Sequence, residues 1–407
     1  MRKYWKFTAI IAVIVLSIGA FYVNSAMSAT QYPEFVIKKQ SGNVDEIKSL
    51  VLEGGYHEGN SMSYTNTHLK ISSDGSENIN DRSLIDQVLR QPSPIIKELQ
   101  EKYRDFMRGK GHNIGSFFEN DQFLAYADVK YKFGVSESSD FKFAIAILDK
   151  ANGNTTSYNI KVPDSSVVNH IFVEDVQVVD NELKMITSNT IRENEEYYNE
   201  KHIYTFSITN GNISSNEVIF SLPESQEDLQ INAQLIQTDP KQANEILVFL
   251  KTESKLIHLE ESFREDVLSK ELVSYNLKTK KTNAIELTEN LKDKQVSFFD
   301  GSTIYFTEFS EEQLIVTPFS IENNLAGSEF TIQLLNAGSN EQPPTTIIVR
   351  ESKLYAINQI SNLKTNASIA VVNVKTGETL FKGELVRKNT PESTEEFELF
   401  IYEMSVK

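Results

Sequence analysis

Apolar and polar residues alternate with a period of two through most of this chain, in short runs broken by Asn, Gly, Asp and Lys. That pattern predicts strands joined by tight turns. The alternation is itself repeated. GSFFENDQFLAYADV, VEDVQVVDNELKMI, LIQTDPKQANEILVFL, QVSFFDGSTIYFTEF and TIIVRESKLYAINQI each read as strand, short polar turn, strand. Their second strands begin near Phe123, Leu183, Ile246, Ile304 and Leu354, a period of about 50 to 63 residues. A closing hairpin pattern follows each one: FAIAILDKANGNTTSYNI, IYTFSITNGNISSNEVIF, ELVSYNLKTKKTNAIEL, LIVTPFSIENNLAGSEFTI and IAVVNVKTGETLFKGEL. Asn152-Gly153 and Asn210-Gly211 supply the positive φ that a tight hairpin requires.

Four antiparallel strands recurring at this period resemble bacterial extracytoplasmic β-propellers at the level of the superfold. The resemblance implies an all-β chain with a small helical insertion, folded as a β-propeller of six or seven four-stranded blades over residues 30–407. Five full units lie between Gly115 and Leu385. FVIKKQ, IKSLVL and MSYTNTHLKI precede them and EFELFIYEM follows. A sixth blade closed from both termini would remove the open sheet edge. A pair of β-sandwiches is the competing architecture.

Two segments depart from the strand period. Within an insertion at 82–111, SPIIKELQEKYRDFMRGKG reads as a helix, with Ser93 as N-cap, Pro94 at the first helical position and Gly109 as its stop. Ile96, Leu99, Tyr103, Phe106 and Met107 form its apolar face, and SLIDQVLR reads as a shorter helix before it. The first 29 residues form a leader: basic MRKYWK, then an uncharged run from Phe7 to Val23. Seventeen residues reach roughly 25 Å, the short end of a bilayer span. Arg2, Lys3 and Lys6 predict a cytoplasmic amino terminus. The run serves either as an uncleaved anchor or as a signal peptide cleaved within NSAMSA. Both place the remainder outside the cytoplasm, as a single-pass membrane protein or a secreted one.

Charge narrows the partners. The net charge is −17, which disfavours nucleic acid and electrostatic docking of the domain onto anionic lipid. There is no cysteine, so disulfides, thiolate metal sites and cysteine nucleophiles are excluded.

Three short motifs match the penicillin-recognising enzymes in order: Ser139-Asp140-Phe141-Lys142, Ser214-Ser215-Asn216 and Lys375-Thr376-Gly377. Their context argues against that chemistry. Ser139 leads into a strand rather than opening a helix, so its side chain and that of Lys142 point to opposite faces. Lys-Thr-Gly fills a hairpin bend. The histidines at 57, 68, 112, 170, 202 and 258 have no metal-ligand spacing, and Ser73 to Asp81 reads as an Asx-rich turn rather than a calcium loop. No phosphate-cradling or dinucleotide motif occurs, so no cofactor or metal is expected.

KFGVSESSDFK, NTIRENEEYYNEKH and TESKLIHLEESFREDVLSKE read as long second-to-third loops that elaborate one face. The candidate binding residues are Arg192, Tyr197, Tyr198 and His202 on one loop, and His258, Phe263 and Arg264 on another. The expected role is a non-catalytic binding, sensing or scaffold module for a protein, peptide or cell-envelope ligand, held to the membrane by the N-terminal helix. The alternative is an exported hydrolase or lyase with its site at the propeller axis.

Overall fold

The computed structural model describes residues 10–20, 23, 34–58, 67–78, 92–133, 138–193, 196–222, 229–236, 238, 243–258, 263–310, 313–334, 345–358, 367–388 and 397–406. They fall into two compact units. One holds residues 1–94, 309–314 and 332–407; the other holds 95–308 and 315–331.

The period-two segments fold as strands almost throughout. The first four are β1 (Phe35–Gly42), β2 (Leu50–Glu58), β3 (Thr67–Ser72) and β4 (Gly75–Asn78). After helices α1 (Pro94–Lys102) and α2 (Arg104–Met107) come β5 (Phe117–Glu119), β6 (Phe123–Phe133), β7 (Ser138–Asp149) and β8 (Thr155–Lys161). The next two groups are β9 (Val168–Val179), β10 (Glu182–Glu193), β11 (Glu196–Ser207) and β12 (Ile213–Leu222), then β13 (Leu229–Leu235), β14 (Ile246–His258), β15 (Phe263–Asn276) and β16 (Lys281–Ile285). β17 (Gln295–Phe299), β18 (Thr303–Ser310), β19 (Gln313–Ser320), β20 (Leu325–Ala326) and β21 (Phe330–Gln333) follow. The chain ends in β22 (Thr345–Arg350), β23 (Lys353–Asn358), β24 (Ser368–Asn373), β25 (Thr379–Arg387) and β26 (Phe397–Val406).

Among the described residues these strands make six antiparallel sheets of four or five strands, as in a β-propeller. Four are sequential meanders. The other two are stitched across the chain: β1 adds to the edge of β25, and β26 pairs with β2 along its whole length, from Leu50 opposite Val406 to Glu58 opposite Phe397. The sixth sheet is thus built from both ends of the chain, as the flanking strand patterns predict. Gly54 is required there, because a Cβ would lie 2.4 Å from the Phe400 carbonyl oxygen.

Neighbouring sheets pack face to face through their alternate apolar residues. Phe118, Phe141, Phe143 and Ile145 of the β5–β8 sheet meet Val173, Leu183, Met185 and Phe206 of the β9–β12 sheet. Ile186 and Ile203 then meet Leu247, Phe249 and Tyr275, and Val248 and Leu272 meet Phe299, Phe306 and Phe319. In the other unit, Leu50, Leu52, Leu69 and Ile71 pack with Ile357, Ile369, Val371 and Phe381.

The turns closing four sheets share one geometry. Residues Asp149, Ser207, Asn276 and Asn373 open them, and each carbonyl accepts the amide four residues on, at 2.8–2.9 Å. That fourth residue has positive φ: Gly153, Gly211, Lys280 and Gly377. Lys-Thr-Gly occupies one of these bends. The Asn373 carboxamide oxygen accepts the amides of Lys375 and Thr376 at 2.9 and 3.3 Å, and Gly377 supplies the left-handed residue. Ser139 and Lys142 lie on β7, and Ser214 to Asn216 on β12. The three motif parts belong to three different sheets.

The insertion is helical from Pro94, with Gly109 at φ +73° ending it. Ile96, Leu99, Phe106 and Met107 are buried against Phe117, Leu124, Tyr126 and Leu148, with Tyr103 partly buried beside them. Ser93 precedes the first turn, but its hydroxyl is buried with no hydrogen-bond partner, so the expected side-chain cap is not made. The expected helix SLIDQVLR lies outside the described residues. Of the leader, residues 10–20 are helical, and Ile10, Val13, Val15 and Leu16 are exposed. Among the described residues no helix is long and apolar enough to cross a membrane, and much of the Phe7 to Val23 run lies outside them.

Candidate functional site

The segments expected as long loops are arms of paired strand. β10 and β11 hold register from Glu182 opposite Ser207 out to Glu193 opposite Glu196, and β14 and β15 out to His258 opposite Phe263. Only residues 194–195 and 259–262 separate the paired strands, and these lie outside the described residues. The reason is backbone hydrogen bonding: a polar segment that pairs with itself satisfies its own amides and carbonyls. Its side chains were misleading because both faces of an exposed arm are polar, which erases the period-two signal.

The arms place the candidate residues very differently. Arg192 and Tyr197 face each other across the β10–β11 tip, with the guanidinium carbon 5.6 Å from the ring centroid. Tyr198 donates its hydroxyl to the Glu193 carboxylate at 3.2 Å, and burial together with that carboxylate raises its pKa. The last paired residues of the flanking strands are Ile191 with Val168 of β9 and Asn199 with Leu222 of β12. The Arg192 amide still donates to the Val167 carbonyl at 2.7 Å, and Tyr198 packs on the core between the β5–β8 and β9–β12 sheets. Arg264 is exposed and closes a fork on Asp266 of its own strand at 2.7 and 2.9 Å. His258 and Phe263 pair at the backbone; their side chains lie outside the described residues.

His202 is a correction. It is not on a loop but in the middle of β11, 6% exposed. Its Nδ1 is 2.9 Å from the Asn216 carboxamide oxygen, its Nε2 is 2.6 Å from the Glu200 carboxylate, and its ring stacks on Tyr204 at 5.4 Å. Both ring nitrogens are engaged within the sheet.

Around it lies a buried polar network that the sequence pattern does not announce. Thr187 donates to Asn189 at 2.8 Å, and Asn189 donates to the Tyr204 hydroxyl at 3.0 Å. Burial pushes the Tyr204 phenol up to about 12. Phe143 from the neighbouring sheet packs on the Tyr204 ring at 4.6 Å. On β9, Asp175 accepts from Gln177 at 2.9 Å, and Gln177 in turn accepts the Asn244 amide at 2.9 Å, joining this sheet to the segment that leads into β14. Glu174 beside Asp175 pairs with Lys201.

Burial pushes the Asp175 carboxyl up to about 6, with Glu174 adding to the rise against the hydrogen bond from Gln177. The folded protein therefore holds this proton more tightly than the unfolded chain. Stability falls as pH rises from about 4 through about 6, by up to roughly 3 kcal/mol from this group. Asp175→Asn is expected to flatten that slope and to raise stability at pH 7 by about 1–3 kcal/mol. Urea melts at pH 4.5, 5.5 and 7 read it, and an unchanged slope in the variant would count against the buried carboxyl as its source.

No protein-family model and no curated protein sequence matches the chain. Solved structures do resemble it. An oligogalacturonate lyase in complex with manganese aligns at 10% identity and TM-score 0.38, over 88% of this chain and 80% of that one. An apocarotenoid oxygenase of Synechocystis aligns at 7% and 0.43, over 88% and 93%. TolB from Acinetobacter baumannii aligns at 11% and 0.24, over 67% and 71%. The likeness is to β-propeller-like proteins at the level of the superfold, and at these identities and scores it assigns no site.

Proposed function

We propose that the chain is an extracytoplasmic six-bladed β-propeller that binds a protein, peptide or cell-envelope ligand in a sensing or scaffold role. In this reading its apolar amino-terminal segment tethers it to the membrane. The observation that carries the reading is the β10–β11 tip. An arginine and a tyrosine, residue types suited to recognition, lie against each other near the end of an arm of paired strand, past the last paired residues of its neighbours. The alternative, an exported hydrolase or lyase, draws no support from His202, whose two ring nitrogens are already engaged.

A photo-reactive phenylalanine analogue at Tyr197, in the full chain in intact cells, tests the reading against the same probe at Val218 on β12. The expected result is a discrete adduct from position 197, absent from 218 and lost in Arg192→Ala. Equal labelling at both positions, or an adduct indifferent to Arg192, would reject the tip as a recognition site.

A further inference from the structure

The helical insertion has two unlike faces. One is packed on the β5–β8 sheet. On the other, Lys97 and Glu101 of α1, Arg104 at the start of α2 and Arg108 at its C-cap are all exposed. With Lys110 and His112 they line a concave pocket of about 690 Å³, with the buried Met107 among its walls. Residues 94–112 carry five Lys and Arg against three Asp and Glu, in a chain whose net charge is −17. The pocket is a basic island on an acidic protein.

Its charges are weakly neutralised from within. Among the described residues Lys97 and Arg104 form no ion pair, and Arg108 lies 3.7 Å from Asp105 in a pair open to water. Lys110 is held in place: its amine donates to the Phe106 carbonyl and sits 3.8 Å from the centroid of the Phe106 ring. Burial, and the like charge of Lys130, press the Lys110 pKa down. A half-buried ammonium near the like charge of Lys130, in a pocket also lined by Lys97, Arg104 and Arg108, favours an anion that several of these cations can share.

The geometry points to a binding site for a multivalent anion, one carrying two or more phosphate or carboxylate groups, in the pocket of Lys97, Arg104, Arg108 and Lys110. Arg104 at the start of α2 and Arg108 at its C-cap offer planar guanidinium forks. Lys97 and Lys110 add point charges. Multivalency is required because a single solvent-exposed ion pair contributes little; several sharing one ligand supply useful affinity. The site is separate from the β10–β11 tip, so either can fail without the other.

Isothermal titration of the full chain at low salt, with inorganic tripolyphosphate and with citrate as probes, tests the site. At least one probe is expected to bind, and which one names the phosphate or the carboxylate chemistry. Arg104→Ala/Arg108→Ala is expected to weaken binding by about tenfold or more, whereas Lys278→Ala/Lys281→Ala at the β15–β16 hairpin leaves it unchanged. Glu101→Gln removes the one carboxylate lining the pocket and should tighten binding about two- to threefold, a gain that misfolding cannot produce. Binding of neither probe, equal weakening in both double variants, or weaker binding in Glu101→Gln overturns the proposal.

Discussion

A chain ending before Phe397 is expected to lose the protected fold of β2. In the full chain β26 supplies the partner for every residue of β2 and buries Ile401, Met404 and Val406 among Leu50, Leu52 and Ile71. The Arg350 guanidinium also donates to the Val406 carbonyl oxygen, tying β22 to the same strand. Three buried apolar side chains at about 1.5–3 kcal/mol each amount to some 5–9 kcal/mol. That is of the order of the whole net stability of a folded domain, about 5–15 kcal/mol. Hydrogen exchange read by mass spectrometry should show β2 amides slow in the full chain and fast in the truncated one. A peptide spanning 393–407 should restore protection in trans by strand addition. Slow β2 amides in the truncated chain would show that the pairing is dispensable. Gly54→Val probes the same contact more gently, since its side chain would enter the space of the Phe400 carbonyl.

Tyr204→Ala should cost about 3–5 kcal/mol, the range for deleting a large buried ring. The ring is 1% exposed, lies between Phe143 and His202, and ends in the hydroxyl that accepts from Asn189. Tyr204→Phe keeps the packing and removes only the acceptor, leaving the Asn189 amide without its partner in a dry setting, so about 1–2 kcal/mol is expected. Denaturant melts of these two variants, with Asn189→Ala and the double Asn189→Ala/Tyr204→Phe, separate ring from network. A coupling near 1 kcal/mol between the two positions is expected. Additive losses would mean that the hydroxyl and the carboxamide do not depend on each other.

Much of the architecture was legible because it rests on local rules. Period-two runs mark strands whichever neighbour they later find, and Asn-Gly at 152–153 and 210–211 marks bends that only certain residues tolerate. The helix declared itself by Ile96, Leu99, Phe106 and Met107 at helical spacing. Even the Lys-Thr-Gly triplet was readable as a bend, since the third unit carries a bend of the same shape with Lys280 at the left-handed position.

What stayed hidden depended on partners far away in sequence. The arms around Arg192 and Arg264 look like loops because their side chains are polar on both faces; only their cross-strand pairing makes them strands. His202 looks like a surface residue among charged neighbours, yet it is buried because Tyr204, Asn216 and the sheet beside it close over that face. Nor does anything local mark Thr187 and Asn189 as a polar pair in positions where the period calls for apolar residues. The basic cluster from Lys97 to Arg108 was available as the exposed complement of the apolar residues Ile96, Leu99, Phe106 and Met107. Its concavity was not, because it depends on where Lys110 and His112 turn back.

The pairing of Leu50 with Val406 also sets a schedule. β2 leaves the ribosome long before its partner, and at about 5–20 residues per second the intervening chain takes on the order of tens of seconds to make. Throughout that interval one edge of β2 has no strand to join, and its apolar face lacks Ile401, Met404 and Val406. Newly made chains therefore carry a sticky edge for a defined time, and whatever guards them in the cell must stay until the last strand arrives.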